Sequence, residues 1–330
     1  MKVLIVGCGA VGQVYGLGLQ SAGVKLGLFD QPAVSEKLNQ ALNQDGLPLF
    51  QLTYTHRKTP YLHRLKDYRV LTDMSECQYF MPDQIWFTTP SQVYYSDWFR
   101  DFLEQVPSKR VVCFIPEGRR PEFFTEMMGD RLVFGGTTFM AWQGILDVSI
   151  EKLKGIYFWR SPLGIPLVGK QDACQDVAQI LKEAGFRIQV EKPGSRSQAA
   201  LTAVMTTFIA GLELSGWSLR DYRKRPWLKC AAGACREAVT GQLSRAGGLT
   251  RALLNGPVLS ACFFLATFTL PILFPFSLEK YLKFHYTKTR EQTIFLLKIY
   301  MKDCKNLRVP ATNLQNLLTE LLAAQQSYLT

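Results

Sequence analysis

The chain opens on a short, unbroken apolar run, Lys2–Gly7 (KVLIVG), rich in β-branched residues and ended by glycine. Such a run predicts a strand buried on both faces, as in a parallel sheet. Ala10–Ala22 then carries helical spacing and stops at Gly23, and Lys25–Phe29 predicts a second strand ending at Asp30. Together they make one βαβ unit of about 30 residues. The alternation in LFQLTYT, within Asp45–Val70, predicts a strand or hairpin. Gln84–Thr89 and Arg110–Ile115 predict two more parallel strands, with a helix over Trp98–Gln105 between them. Leu132–Thr138 predicts another strand that opens on a Gly-Gly-Thr-Thr turn. Ile156–Val168 predicts antiparallel additions, Gln175–Ala184 a helix stopped by Gly185, and Arg187–Val190 a last strand.

The pattern changes at Lys192–Ser197 (KPGSRS), where Pro, Gly and Ser punctuate the chain. Beyond it the spacing is helical almost throughout, over 199–216, 229–246, 251–267, 278–306 and 312–326. This predicts one domain over 1–192 and a second, all-α domain over 193–330. A length of 330 residues is enough for two cores, and 47% hydrophobic with 20% charged residues argues against disorder.

One helical stretch stands apart. No charge falls between Arg251 and Glu279, and Val258–Phe276 is nearly all apolar. That length suits a membrane span. Pro257, Pro271 and Pro275 break it, however, and Asn255, Gly256, Ser260, Thr267 and Thr269 dilute it. A buried helix and loop, lining an interdomain cleft or a dimer contact, is therefore expected over 252–278.

The net charge of +11 attracts anions in general without choosing among them. Arg220–Lys229 (RDYRKRPWLK) concentrates basic residues around Tyr222 and Trp227. It reads as a solvated interhelical loop rather than a site for nucleic acid, a phosphorylated substrate or an acidic membrane. Eight cysteines are scattered without a CxxC pair, so neither a disulfide framework nor a metal site is expected. With a strand at the very start and no signal peptide visible, a cytoplasmic protein is expected.

The first turn carries the most specific chemistry. Gly7, Gly9 and Gly12 stand in GxGxxG spacing within VGCGAVG. The first glycine allows the tight turn, the second lets backbone approach a pyrophosphate, and the third lets helix and strand pack closely. The loop Gly7, Cys8, Gly9, Ala10, Val11, Gly12 follows a strand, opens a helix and is followed by an acidic residue at the next strand end. A Rossmann domain holding NAD(H) or NADP(H) is the implied reading. A carboxylate at Asp30 accepts from a ribose 2′-hydroxyl and repels a 2′-phosphate, which favours NAD.

The order of features along the whole chain resembles the ketopantoate reductase (2-dehydropantoate 2-reductase) family. The residues that carry the resemblance are GCGAVGQ at the start, FTTPSQ at 87–92, FIPEG at 114–118, GGTT at 135–138, and FHYTKTREQT at 284–293 running into RVP at 308–310. The resemblance implies a doubly wound parallel sheet with an all-α second domain, 6-phosphogluconate-dehydrogenase-like. It implies hydride transfer from NAD(P)H to a 2-oxo acid such as ketopantoate, in pantothenate biosynthesis, within the cleft between the domains, and a homodimer. The family's lysine polarises the substrate carbonyl, a late glutamate holds the substrate, and an asparagine helps at the nicotinamide.

This chain departs from that pattern. Thr88-Thr89-Pro90 replaces the usual strand-end lysine motif, and Glu117-Gly118 the usual asparagine-glycine. Ser195–Met205, where the catalytic lysine is expected, has no lysine, and Val204 and Phe208 stand for the asparagines that follow. Glu291 is the counterpart of the late glutamate. Thr89, Pro90 and Glu117 are expected at the nicotinamide, and Arg196 and Thr138 at the substrate. His285, Lys288 and Gln292 fall at i, i+3 and i+7 of a predicted helix, on one face. His285, Lys288 and Glu291 are therefore the candidate catalytic residues, with Gln292 a substrate contact. Two alternatives stay open: an opine-type oxidoreductase with the same cofactor domain, and a non-catalytic nucleotide-binding or interaction protein.

Overall fold

A computed structural model describes residues 1–57, 59–114, 122–144, 155–191, 197–224, 226–242 and 256–327. The chain divides into two units, Met1–Ser195 and Arg196–Thr330.

The first unit begins with β1 (Lys2–Val6), α1 (Ala10–Ser21) and β2 (Lys25–Phe29), as the sequence pattern predicts. Then come α2 (Pro32–Leu42), β3 (Leu47–Gln51), β4 (Tyr61–Leu65), β5 (Tyr68–Leu71), α3 (Met74–Phe80) and β6 (Gln84–Phe87). They are followed by α4 (Asp97–Gln105), β7 (Arg110–Phe114), α5 (Glu122–Met128), β8 (Leu132–Gly135), β9 (Phe139–Gln143) and β10 (Ile156–Arg160). The unit closes with β11 (Ile165–Gly169), α6 (Gln171–Glu183) and β12 (Ile188–Val190).

Eight strands form the main sheet in the order β12-β11-β8-β7-β6-β1-β2-β5. All neighbours are parallel except β11 and β8. The order reverses between β1 and β6, which makes that junction the switch point of a doubly wound sheet. The period of two explains the unbroken apolar strands. Val3 and Ile5 face one core with α1 and α6, while Leu4 and Val6 face the other with Phe99, Phe102 and Phe124. A second sheet, β4-β3-β10-β9, lies against α1. Its β3–β4 pair is the antiparallel hairpin expected over Asp45–Val70.

Tyr15 fixes α1 in place. Its ring is fully buried, stacks on Phe114 at 4.2 Å, and meets Phe139 and Trp86 edge-on at 4.9 and 5.7 Å. Contacts of this kind add about 0.5–1.5 kcal/mol each beyond area burial. The start of α1 is thereby held at the C-terminal edge of β1.

The second unit contains α7 (Ser197–Leu214), α8 (Leu219–Lys224), α9 (Trp227–Gln242), α10 (Gly256–Thr269), α11 (Leu278–Lys288), α12 (Arg290–Asn306) and α13 (Thr312–Ser327). Helix α9 packs on α7, α10, α12 and α13. Small residues make this possible: Ala231, Ala232, Ala234, Cys235 and Ala238 are buried on it. A Cβ on Gly233 would come within 2.6 Å of the Asn313 side chain. Glu237, also on α9, caps α13 in trans. Its carboxylate accepts from the Asn313 and Leu314 N–H groups at 3.1 and 2.9 Å, and from Asn313 Nδ2 at 2.7 Å. A carboxylate at a helix start also meets the positive end of the dipole. Glu237→Leu is expected to destabilise the helical unit by about 2 kcal/mol in urea unfolding.

Two expectations are corrected here. The helix expected over 278–306 is two helices, broken at Thr289. The hydroxyl of Thr289 donates to the His285 carbonyl at 3.0 Å, and its own carbonyl accepts from Gln292 and Thr293 N–H. Arg220–Lys229 is mostly helical where it is described: Arg220–Lys224 lies in α8, Trp227–Lys229 opens α9, and Tyr222 is fully buried. Of the apolar stretch expected over 252–278, residues 252–255 lie outside the described residues. Within its described part, α10 buries Leu259, Phe263 and Thr267 and exposes most of the rest. No helix among the described residues is long and apolar enough to cross a membrane.

Candidate cofactor site and helical-unit residues

The turn from β1 to α1 is built by its glycines. Gly7 has φ +92°, a conformation that L side chains rarely adopt, and its N–H donates to the Phe29 carbonyl at 3.0 Å. A Cβ on Gly12 would lie 2.3 Å from the Gly7 carbonyl oxygen, so close packing there admits only glycine. Gly9 differs. A Cβ on it would meet nothing within 4 Å, in a backbone conformation (φ −68°, ψ −167°) open to any residue.

Gly9 is also the N-cap of α1, which has no side-chain cap and no acidic residue in its first turn. The N–H groups of Ala10 and Val11 therefore open the helix without a capping side chain. An uncapped helix start with open space beside its glycine is suited to an anion.

Two groups from neighbouring strands hold this loop. Asp30, after β2, accepts from the Cys8 N–H and, at 2.7 Å, from the Gln31 N–H. Thr88, after β6, donates its hydroxyl to the Gly7 carbonyl, and its N–H donates to Val6 O at 2.9 Å. Gln13 adds a donor to the Cys8 carbonyl at 2.9 Å. Cys8 itself is buried, and burial together with the nearby Asp30 carboxylate pushes its thiol pKa well up. It is a packing residue of the loop, not a nucleophile.

The switch point thus brings together Gly7–Gly12, Asp30, Thr88 and Thr89. A Cβ on Gly7 would lie 2.9 Å from Thr89 Cγ2, which places Thr89 against the loop. The hydroxyl oxygen of Thr89 is buried without a hydrogen-bond partner. Pro90 follows it and caps the short 3-10 turn Ser91–Tyr95. Thr138 lies beyond the end of β8, with its hydroxyl donating to the Leu163 carbonyl at 3.2 Å. Glu117 and Arg196 lie outside the described residues.

In the helical unit, His285 and Lys288 end α11, whereas Glu291 and Gln292 begin α12. The break at Thr289 means that the four do not share one helix face. His285 stacks on Tyr281 at 5.5 Å, and Tyr286 meets it edge-on. Burial, with a smaller contribution from Lys288, pushes its pKa down to about 4. At neutral pH it is an uncharged imidazole. Lys288 and Glu291 are exposed.

One pair carried no expectation from the sequence. Arg290, at the start of α12, forms an ion pair with Glu213 at the end of α7, and their side chains are 13% and 4% exposed. Burial pushes the Glu213 carboxyl upward while the guanidinium opposes it. A signal was present: Glu213 is the one charged residue between Arg196 and Arg220. Thr88 and Gln13 likewise carry no assigned role from the sequence, although both lie within the motifs FTTP and GCGAVGQ.

No protein-family model and no curated sequence matches the chain. Solved structures do match, over nearly its whole length. D-mandelate dehydrogenase in complex with NADH superposes with TM-score 0.68 at 17% identity, covering 99% of each chain. The chain has the fold of these dehydrogenases. A probable 2-dehydropantoate 2-reductase from Bacillus subtilis superposes with TM-score 0.66 at 14% identity, covering 98% of this chain and 99% of its own. Yersinopine dehydrogenase bound to NADP+ does so with TM-score 0.64 at 14% identity, covering 99% and 91%. The fold class expected from the sequence is the one observed: a Rossmann-type sheet followed by an all-α unit.

Proposed function

We propose that the protein is a nicotinamide-dependent reductase that acts on a 2-oxo acid or a related small carbonyl compound. The observation that carries this reading is the β1–α1 turn. It combines an uncapped helix start, open space at Gly9, and the unpartnered Thr89 hydroxyl at one switch point. These residues fit a dinucleotide: Gly9, Ala10 and Val11 would receive the pyrophosphate, Asp30 the adenosine ribose, and Thr89 with Pro90 and Glu117 the nicotinamide end. When bound, the reduced nicotinamide supplies the hydride. Asp30 adds a negative charge where a 2′-phosphate would lie, so NADH is the favoured form.

A carbonyl that accepts hydride develops negative charge on oxygen and needs a cation or donor there. Ser195–Met205 offers no lysine for this. Lys288 supplies the cation in our reading, with Glu291 and Gln292 orienting the substrate and Arg196 and Thr138 binding its carboxylate. His285, held neutral, orients by hydrogen bonding and does not donate as an imidazolium. Lys288→Met is expected to lower kcat by about a hundredfold with little change in NADH affinity, measured by steady-state kinetics and fluorescence titration.

A second reading rests on that missing lysine and on the fold likeness to yersinopine dehydrogenase. In opine-type chemistry an amine condenses with the oxo acid before reduction. One experiment separates the two. NADH and NADPH are titrated by fluorescence, and a panel of 2-oxo acids including ketopantoate is then added, alone and with amino acids. Turnover without amine supports the first reading, and turnover only with amine supports the second. Failure to bind either nucleotide would overturn both.

A further inference from the structure

Helix α10 is apolar around its circumference, yet it buries only Leu259, Phe263 and Thr267, one stripe at i, i+4 and i+8. Phe264, Leu265 (59% exposed) and Phe268 stand outside that stripe, and the following turn exposes Ile272 (76%) and Leu273. A helix apolar all round is ordinarily enclosed by protein or lipid. These residues are also neighbours rather than scattered singles, which marks an interaction surface.

The rim is net basic on both sides. Helix α8, packed on α10, carries Arg220, Arg223 and Lys224 against Asp221, and the start of α11 carries exposed Lys280 and Lys283 against Glu279, whose carboxylate accepts from the Leu219 N–H at 2.7 Å. The Arg223 guanidinium lies 3.9 Å from the centre of the Phe268 ring, joining rim to apolar face. The imbalance extends through the whole helical unit. From Arg196 to Thr330 there are seventeen basic and seven acidic residues, so this unit holds ten of the chain's eleven net positive charges.

We propose that this face docks on an anionic phospholipid bilayer. Phe264, Leu265, Phe268, Ile272 and Leu273 enter the boundary between headgroups and acyl chains, and the flanking lysines and arginines sit at the level of the phosphates. The fourteen described residues of this helix are too few to cross a bilayer and enough to lie in its plane. Charge complementarity selects this occupant over a second copy of the chain. Pairing two copies through this face would bring together two units of ten net positive charges each, whereas an anionic surface neutralises the same rim. The proposal stands apart from the reductase reading and does not depend on it.

The test is co-sedimentation of the full-length protein with vesicles of phosphatidylcholine alone, or of phosphatidylcholine and phosphatidylglycerol in equal parts. Binding to the anionic vesicles only, weakening as salt rises, is expected. Two double variants, Leu265→Ser/Ile272→Ser and Lys280→Glu/Lys283→Glu, should each lose binding about tenfold or more. All four side chains are exposed, and circular dichroism melts check that the variants keep their fold. Three results would overturn the proposal: no binding to anionic vesicles at low salt; binding that neither variant weakens; or a dimer in sedimentation velocity that Leu265→Ser/Ile272→Ser dissociates and that does not bind vesicles.

Discussion

On the reductase reading, replacing Gly9 by valine is expected to abolish dinucleotide binding while leaving the melting temperature of the protein nearly unchanged. The separation follows from the surroundings of that one residue. Its backbone is in a region that valine adopts freely, and a Cβ there meets no protein atom within 4 Å. The added methyls would instead fill the space proposed for the pyrophosphate at the start of α1. Fluorescence titration should show at least about a hundredfold loss of affinity, since about 2.7 kcal/mol of lost phosphate contact corresponds to two powers of ten. Gly12→Val gives the contrast. A Cβ there collides with the Gly7 carbonyl oxygen, so that variant should lose the fold of the turn along with binding. Retained NADH binding in Gly9→Val would remove the pyrophosphate from this loop.

Arg290→Met should destabilise the protein by about 3–5 kcal/mol in urea unfolding, because it leaves the Glu213 carboxylate buried without its partner. Glu213→Leu/Arg290→Met, which removes both charges, should recover most of that loss. The sign of the pH dependence follows from the carboxyl's position. Burial already raises the Glu213 pKa above its ordinary value, and Arg290 is the group that opposes the rise. Without Arg290 it rises further. A group with a raised folded-state pKa binds more protons when folded, so the penalty is full above that pKa and fades as the pH falls through it. The deficit of Arg290→Met should therefore be larger at pH 8 than at pH 5. A constant deficit would mean that lost packing, not the stranded charge, sets the cost.

The first βαβ unit was readable because each of its signals is local. A buried parallel strand is a continuous apolar run, and the glycines serve a turn that only glycine can make. The hairpin over β3 and β4 was visible for a similar reason, in its alternation. What escaped depends on partners distant in sequence. Thr88 matters because its hydroxyl reaches the carbonyl of Gly7, from the far side of the switch point. Glu237 matters because the start of α13 comes to rest on α9. The break at Thr289 has no glycine or proline to announce it, and the apolar spacing runs on through both helices. That is why His285, Lys288 and Gln292 seemed to share a face from the sequence. Helix α2 does carry a legible start signal, Pro32 at its first position.

The bracing of the glycine loop has a kinetic consequence. Asp30 and Thr88 hold Cys8 and Gly7 from two different strands, so the chain's own hydrogen bonds set the shape of the loop. A preformed cradle has no ordering step to complete before or after encounter. Mixing with NADH in a stopped-flow instrument should then give a single exponential whose rate climbs in proportion to nucleotide concentration, without reaching a plateau.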